Sequence, residues 1–193
     1  MRRAPLLIAA LVLLSTAPGA FAQTRLTPAQ MVAAQQAAMA RLSALDGVWR
    51  GEGWMVDNPG ETPRKMTETL RAGPFLDGAV KVMETRGYLA GGGLGFHAFN
   101  TLGFDAGKGE YVMNARAAGR SGTFAFRATD DGYVWEIGGG GRGLRYTGVV
   151  KDGAWTEVGE SLDPSRAPVV VSSMTLRRVG DTDWPEAGAP EPR

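Results

Sequence analysis

The sequence predicts an all-β fold, an up-and-down antiparallel barrel of about ten strands preceded by one N-terminal α-helix. Three observations carry this. From Val48 to Arg178 the apolar residues recur at every second position, as in Tyr133, Trp135 and Ile137 against Val134 and Glu136, which is the period of a strand with one face in the core. The breaks between these stretches are Gly, Asp, Asn and Pro, the residues of tight antiparallel turns. About ten such segments exceed what an open twisted sheet comfortably holds, so curling into a barrel is favoured over the alternative, a two-sheet sandwich.

Residues 1–22 read as a secretory signal peptide. Arg2 and Arg3 precede an apolar core from Leu6 to Leu14, and Ala20-Phe21-Ala22 places the cut after Ala22. The expected location is periplasmic or secreted. The apolar core is much shorter than the roughly 20 residues that cross a bilayer, and no later stretch approaches that length, so no membrane span is expected. The chain contains no cysteine, so disulfides are excluded and stability falls to the core. What remains, roughly 170 residues, is enough for one domain without staples.

Residues 23–46 hold the helix. Thr27-Pro28-Ala29-Gln30 offers a hydroxyl cap, proline at the first helical position and a glutamine to close a capping box. The helix should run to about Leu45, with Met31, Ala34, Ala38, Leu42 and Leu45 as a narrow apolar stripe, and Asp46-Gly47 breaks it. Residues 47–179 form the barrel, with strands at about 48–56, 64–72, 78–87, 94–104, 109–117, 121–129, 132–138, 143–150, 153–161 and 168–178. Residues 180–193, rich in Pro, Gly and acid, read as a disordered tail.

Leu45-Asp46-Gly47-Val48-Trp49-Arg50-Gly51-Glu52-Gly53, Leu102-Gly103-Phe104-Asp105 and Met174-Thr175-Leu176-Arg177-Arg178 resemble the DUF1579 family of bacterial proteins. That family is itself similar to calycin-type barrels such as lipocalins, fatty-acid-binding proteins and nitrobindins. The resemblance covers about residues 42–179 and implies a fold rather than an activity. In lipocalin-like barrels an arginine of the last strand covers a tryptophan of the first, which implies structural closure by Gly47, Trp49 and Arg178, Arg178 being in phase with Met174 and Leu176. A guanidinium over an indole gives ~0.5–2 kcal/mol. Nitrobindins hold heme through a histidine in their C-terminal part, whereas here the sole histidine is His97, so no heme and no other cofactor is expected.

One histidine and no cysteine cannot build the common zinc sites, and no calcium-loop spacing appears, so no metal is expected. Of the 21 basic and 20 acidic residues, Arg2 and Arg3 belong to the leader. The mature chain is then close to neutral, without the footprint of a nucleic-acid binder. Gly93-Leu94-Gly95-Phe96-His97-Ala98 leads into a strand rather than a helix and is no dinucleotide loop. Gly138 to Gly143 lacks the end of a phosphate loop. Gly119-Arg120-Ser121-Gly122 precedes a strand and is no nucleophile elbow. Glu52, Glu68, Glu84, Glu136, Glu157 and Glu160 are assigned mostly to the solvated outer face. Glu157 is the exception, because it shares a face with Trp155; if internal, it is either paired with an arginine (Arg116, Arg127, Arg142 or Arg145) or perturbed in pKa.

The expected function is a non-catalytic barrel binding a small apolar or amphipathic molecule, with Trp49, Met55, His97, Phe124, Phe126, Trp135 and Met174 as ligand-binding residues. One alternative is an isomerase or hydrolase using His97 with a carboxylate inside the barrel. Another is a protein-interaction module with a filled core, its N-terminal helix docking to a partner. Nothing in the residues specifies an oligomer.

Overall fold

The computed structural model describes residues 25–182 and Trp184; the expected leader lies outside the described residues. One helix, α1 (Pro28–Ala40), and a 3-10 turn (Ser43–Leu45) precede ten strands. These are β1 (Gly47–Met55), β2 (Arg64–Phe75), β3 (Val80–Tyr88), β4 (Leu94–Asp105), β5 (Glu110–Ala117), β6 (Arg120–Ala128), β7 (Gly132–Gly139), β8 (Arg142–Lys151), β9 (Ala154–Asp163) and β10 (Arg166–Gly180). Each strand pairs with the next, and β1 pairs antiparallel with β10, so the sheet closes into a barrel. The fold class is the one the period-two pattern predicts.

The cap of α1 forms as its sequence dictates: Thr27 Oγ1 accepts from the Gln30 amide, and Gln30 Oε1 accepts from the Thr27 amide at 2.8 Å. The helix nonetheless ends at Ala40, short of Leu45. There the chain tightens into the 3-10 turn, which delivers the Leu45 carbonyl to the Trp49 indole N–H at 3.0 Å. The expected stripe is covered only in its second half. Ala38, Met39, Leu42 and Leu45 are buried in the barrel core, while Met31 remains exposed.

Turn chemistry follows the sequence closely. Asp105 Oδ1 accepts from the amides of Gly107 and Lys108, and Gly109 takes a positive φ of 73° that glycine tolerates without strain. The turns β2–β3, β4–β5, β6–β7 and β8–β9 lie at one end with α1, and the other five lie at the opposite end. At the α1 end Lys81, 1% exposed, points inward from β3 and pairs with Asp46 in the hinge between the 3-10 turn and β1. This pair ties the hinge to the wall. Burial lowers the Lys81 pKa, and Asp46 opposes the shift.

Two departures matter. The tail expected from residue 180 begins by docking: Thr182 Oγ1 donates to the Ala72 carbonyl, and the Trp184 ring lies under the Arg71 guanidinium at 3.7 Å. Gly73 of β2 makes this contact feasible, since a Cβ there would fall 2.8 Å from Trp184. The wall is also uneven. β6 and β7 are registered only at Phe126–Trp135, Arg127–Val134 and Ala128–Tyr133, so the two strands part beyond Trp135 toward the end away from α1.

Candidate functional site

Register and burial divide the interior into two halves. Near α1 the inward residues Trp49, Leu70, Leu102, Met113, Phe126, Tyr133, Trp155 and Leu176 are buried and form one cluster with Leu42 and Leu45. This half is a packed floor. Toward the other end, Met55, Phe124, Trp135, Tyr146, Glu157 and Ser172 also share the inward phase, yet each is only half-buried. These inward side chains remain partly reachable by solvent, so this half is packed less completely than the floor; we call it the cup.

Two carboxylates occupy the cup. Glu157 of β9 accepts from Tyr133 Oη at 2.6 Å and from the Trp135 indole N–H at 3.4 Å, and Tyr133 Oη in turn accepts from the Trp155 indole N–H at 3.0 Å. Tyr133 can reach this position because β8 carries glycine opposite it: a Cβ on Gly148 would fall 2.3 Å from the phenol ring. Burial raises the Glu157 pKa against the two donors that hold it down. The same burial, with the Glu157 charge second, pushes Tyr133 well above its ordinary value and Tyr146 up to about 12.

Glu68 of β2 is 7% exposed and shares the inward phase with Met66, Leu70 and Ala72. Its carboxylate lies over Gly53 of β1, where a Cβ would fall 1.8 Å from Oε1; glycine at 53 is what admits it. Next along this layer is Met174 of β10, in register with Gly53 on one side and with Glu157 on the other. Glu68 is pushed up to about 7, by burial first and then by the negative charges of Glu157 and Glu52. Among the described residues, neither Glu68 nor Glu157 has an ion-pair partner, and Glu68 receives no hydrogen bond.

The sequence-predicted site residues distribute unequally. Met55, Phe124 and Trp135 face the cup, while Met174 is buried and belongs to the core cluster of the floor. Trp49 and Phe126 are in the floor, Trp49 edge-on to Trp155 at 5.5 Å and Phe126 stacked on Tyr133 at 5.1 Å. His97 does not face the interior. It is exposed on the outer wall opposite Arg86, because its neighbours Phe96 and Ala98 take the inward phase. An interior acid–base pair built on His97 is thereby ruled out.

The closure trio is assembled differently from the expected stack. Arg178 stands opposite Trp49 in register, but its guanidinium packs against Gly47, donates from Nε to the Asp46 carbonyl at 3.2 Å and pairs with Asp181 at 2.6 Å. Among the described residues the cation–aromatic contact is Arg71 over Trp184. The arginines offered as partners of Glu157 sit elsewhere: Arg116 and Arg127 are on the outer face, Arg142 is exposed at the rim, and Arg145 bonds Glu136 outside at 2.8 Å. Glu157 therefore takes the second course set by its inward phase, a raised pKa without an arginine.

Glu68, Tyr133 and Tyr146 are the site residues that sequence reasoning did not assign. For Glu68 the signal was present, in its phase with Met66, Leu70 and Ala72. Two recesses also open on the wall. One of about 640 Å³ lies outside, lined by Glu84, Arg86, His97, Phe99 and Arg116, where Glu84 is paired with Arg86 and Arg71. The other, about 540 Å³, lies at the β6–β7 parting and joins Phe126 and Trp135 to the outer residues Arg127 and Glu136. The outer groove is the larger; its Glu84 is paired with Arg86 and Arg71, while its other arginines, Arg116 and Arg120, are exposed to solvent and have no ion-pair partner among the described residues. The unmatched buried acids mark the cup as the candidate site.

These features define a closed ten-stranded antiparallel barrel with a sealed floor and an acid-bearing cup. The crystal structure of Rv2717c from M. tuberculosis has the same fold: it aligns with a TM-score of 0.55 over 74% of this chain and 97% of its own, at 12% sequence identity. No protein-family profile matches the chain, and no curated protein matches it by sequence.

Proposed function

We propose that this protein is an exported, non-catalytic barrel that binds a small apolar or amphipathic molecule in its cup. The observation that carries this reading is the pair of halves: a floor closed by α1 beneath inward aromatic residues that remain reachable from solvent. A pocket lined mainly by aromatic and aliphatic groups with a few polar ones suits such a ligand. The resemblance to the DUF1579 family and to calycin-type barrels supports the fold on which this reading rests, and the expected leader at residues 1–22 supports export. His97 on the outer wall removes the motive for the enzymatic alternative. The partial solvent exposure of the inward side chains above the floor weighs against a filled-core interaction module.

Titrating the purified protein with a panel of apolar dyes and lipids, while following tryptophan emission, tests the reading. Trp135 lies in the cup, so a saturable shift is expected; no saturable response across the panel overturns it. Mass spectrometry of the exported protein should find Gln23 at its N-terminus, and an intact leader in the mature protein would refute the export reading.

A further inference from the structure

We propose that the cup selects organic cations, with an alkylammonium group docking between Glu68 and Glu157 and its apolar part lying against Trp135 and Tyr146. This rests on the binding reading above and adds the ligand's charge. Glu68 is more than nine-tenths buried, points into the cup and receives no hydrogen bond. Its oxygens are not among the fully buried polar atoms that lack a partner, so a donor entering from solvent can reach them. Its placement is also constructed, since glycine at 53 is required to hold the carboxylate there.

The second acid is held by neutral donors alone, Tyr133 and Trp135, and one of its oxygens receives none of the bonds they make. Two acids facing one space, with no ion-pair partner among the described residues, are complementary to a cation brought by the ligand. The charges around them agree. Facing Glu68 are Gly51 and Gly53 from β1 and Thr85 and Gly87 from β3, while Glu52 looks outward; Arg64, in the inward phase two pairs further toward the rim, is bound through Nη2 to Asp57 at 2.7 Å and leaves its Nε without a partner. Trp135 and Tyr146 stack at 4.2 Å and 7°, offering the flat apolar surface and the negative ring faces that a cationic amphiphile favours.

Three probes that share a phenyl ring and differ in charge test this on the full-length mature protein by calorimetry at pH 7.5: phenethylamine, 2-phenylethanol and 3-phenylpropionate. Phenethylamine is expected to bind at least about tenfold more tightly than the alcohol, and the carboxylate weakest. Glu68→Gln should reduce that preference to about twofold or less. Glu157→Gln should act likewise, and if it fails to fold, Glu68→Gln carries the test. Equal affinity for amine and alcohol, or a preference that survives Glu68→Gln, overturns the cation inference and leaves the binding reading standing. If none of the three probes binds, the cation inference falls, and the dye panel alone decides the broader reading.

Discussion

The floor and the cup are built from the same strands with the same alternation, yet they solve opposite problems. In the floor, large buried polar side chains find partners: the Trp155 indole in Tyr133, the Trp49 indole in the Leu45 carbonyl, Lys81 in Asp46. The rings meet edge-on or stacked, and α1 closes the end. In the cup, large rings stand half-buried, two acids lack counter-ions, and small residues replace large ones at Gly53 and Gly159. Stability is concentrated in one half of the barrel and unmet binding capacity in the other. A barrel can hold a ligand only where its packing is left unfinished.

The largest test of this division is Trp49→Ala. Removing a floor tryptophan that is 1% exposed should cost about 3–5 kcal/mol of unfolding free energy in urea titrations. A loss under about 1 kcal/mol would break the comparison.

The next is electrostatic. Glu68 rises from an ordinary value of 4.5 to about 7, so it holds its proton more tightly in the folded state than in the unfolded one. Its contribution to stability is fully present below pH 4.5, declines as pH rises, and is lost above about pH 7. The loss is ~3 kcal/mol. Comparing wild type with Glu68→Gln at pH 5 and pH 8 isolates it: the variant should gain relative stability at pH 8, and identical pH profiles would refute the burial of an unpaired acid.

Tyr133→Phe joins the two halves. It leaves the Trp155 N–H unanswered in the floor and removes a donor from Glu157 in the cup, and should cost about 1–3 kcal/mol by thermal unfolding. Trp135→Ala is the smallest, about 1 kcal/mol, because its ring is only partly buried; a cost equal to that of Trp49→Ala would show that the cup is packed like the floor.

Much of the barrel was legible because strand period and turn chemistry are local. Asp105 to Gly109 and Lys151 to Gly153 specify their turns regardless of what lies across the barrel. The end of α1 was less legible, since it is decided by where the Leu45 carbonyl must meet Trp49. His97 was misplaced because flanking aromatics suggest an interior, while phase depends on the whole strand: Phe96, Ala98, Asn100 and Leu102 turn inward together. Glu68 was misread in the opposite sense, its charge outweighing its phase. The proximity of Glu68 to Glu157 was beyond reach, because β2 and β9 become near neighbours only when β1 meets β10.

That meeting also sets the terms on which the protein can be made. The strand that begins the sheet waits for the strand that ends it, so until Arg166–Gly180 arrives the nascent sheet presents two raw borders, β1 and β9, each able to recruit another chain. Assembly is therefore governed by a contact between distant parts of the polymer, which favours slow completion and makes any truncation before residue 166 a recipe for clumping rather than for a smaller working protein.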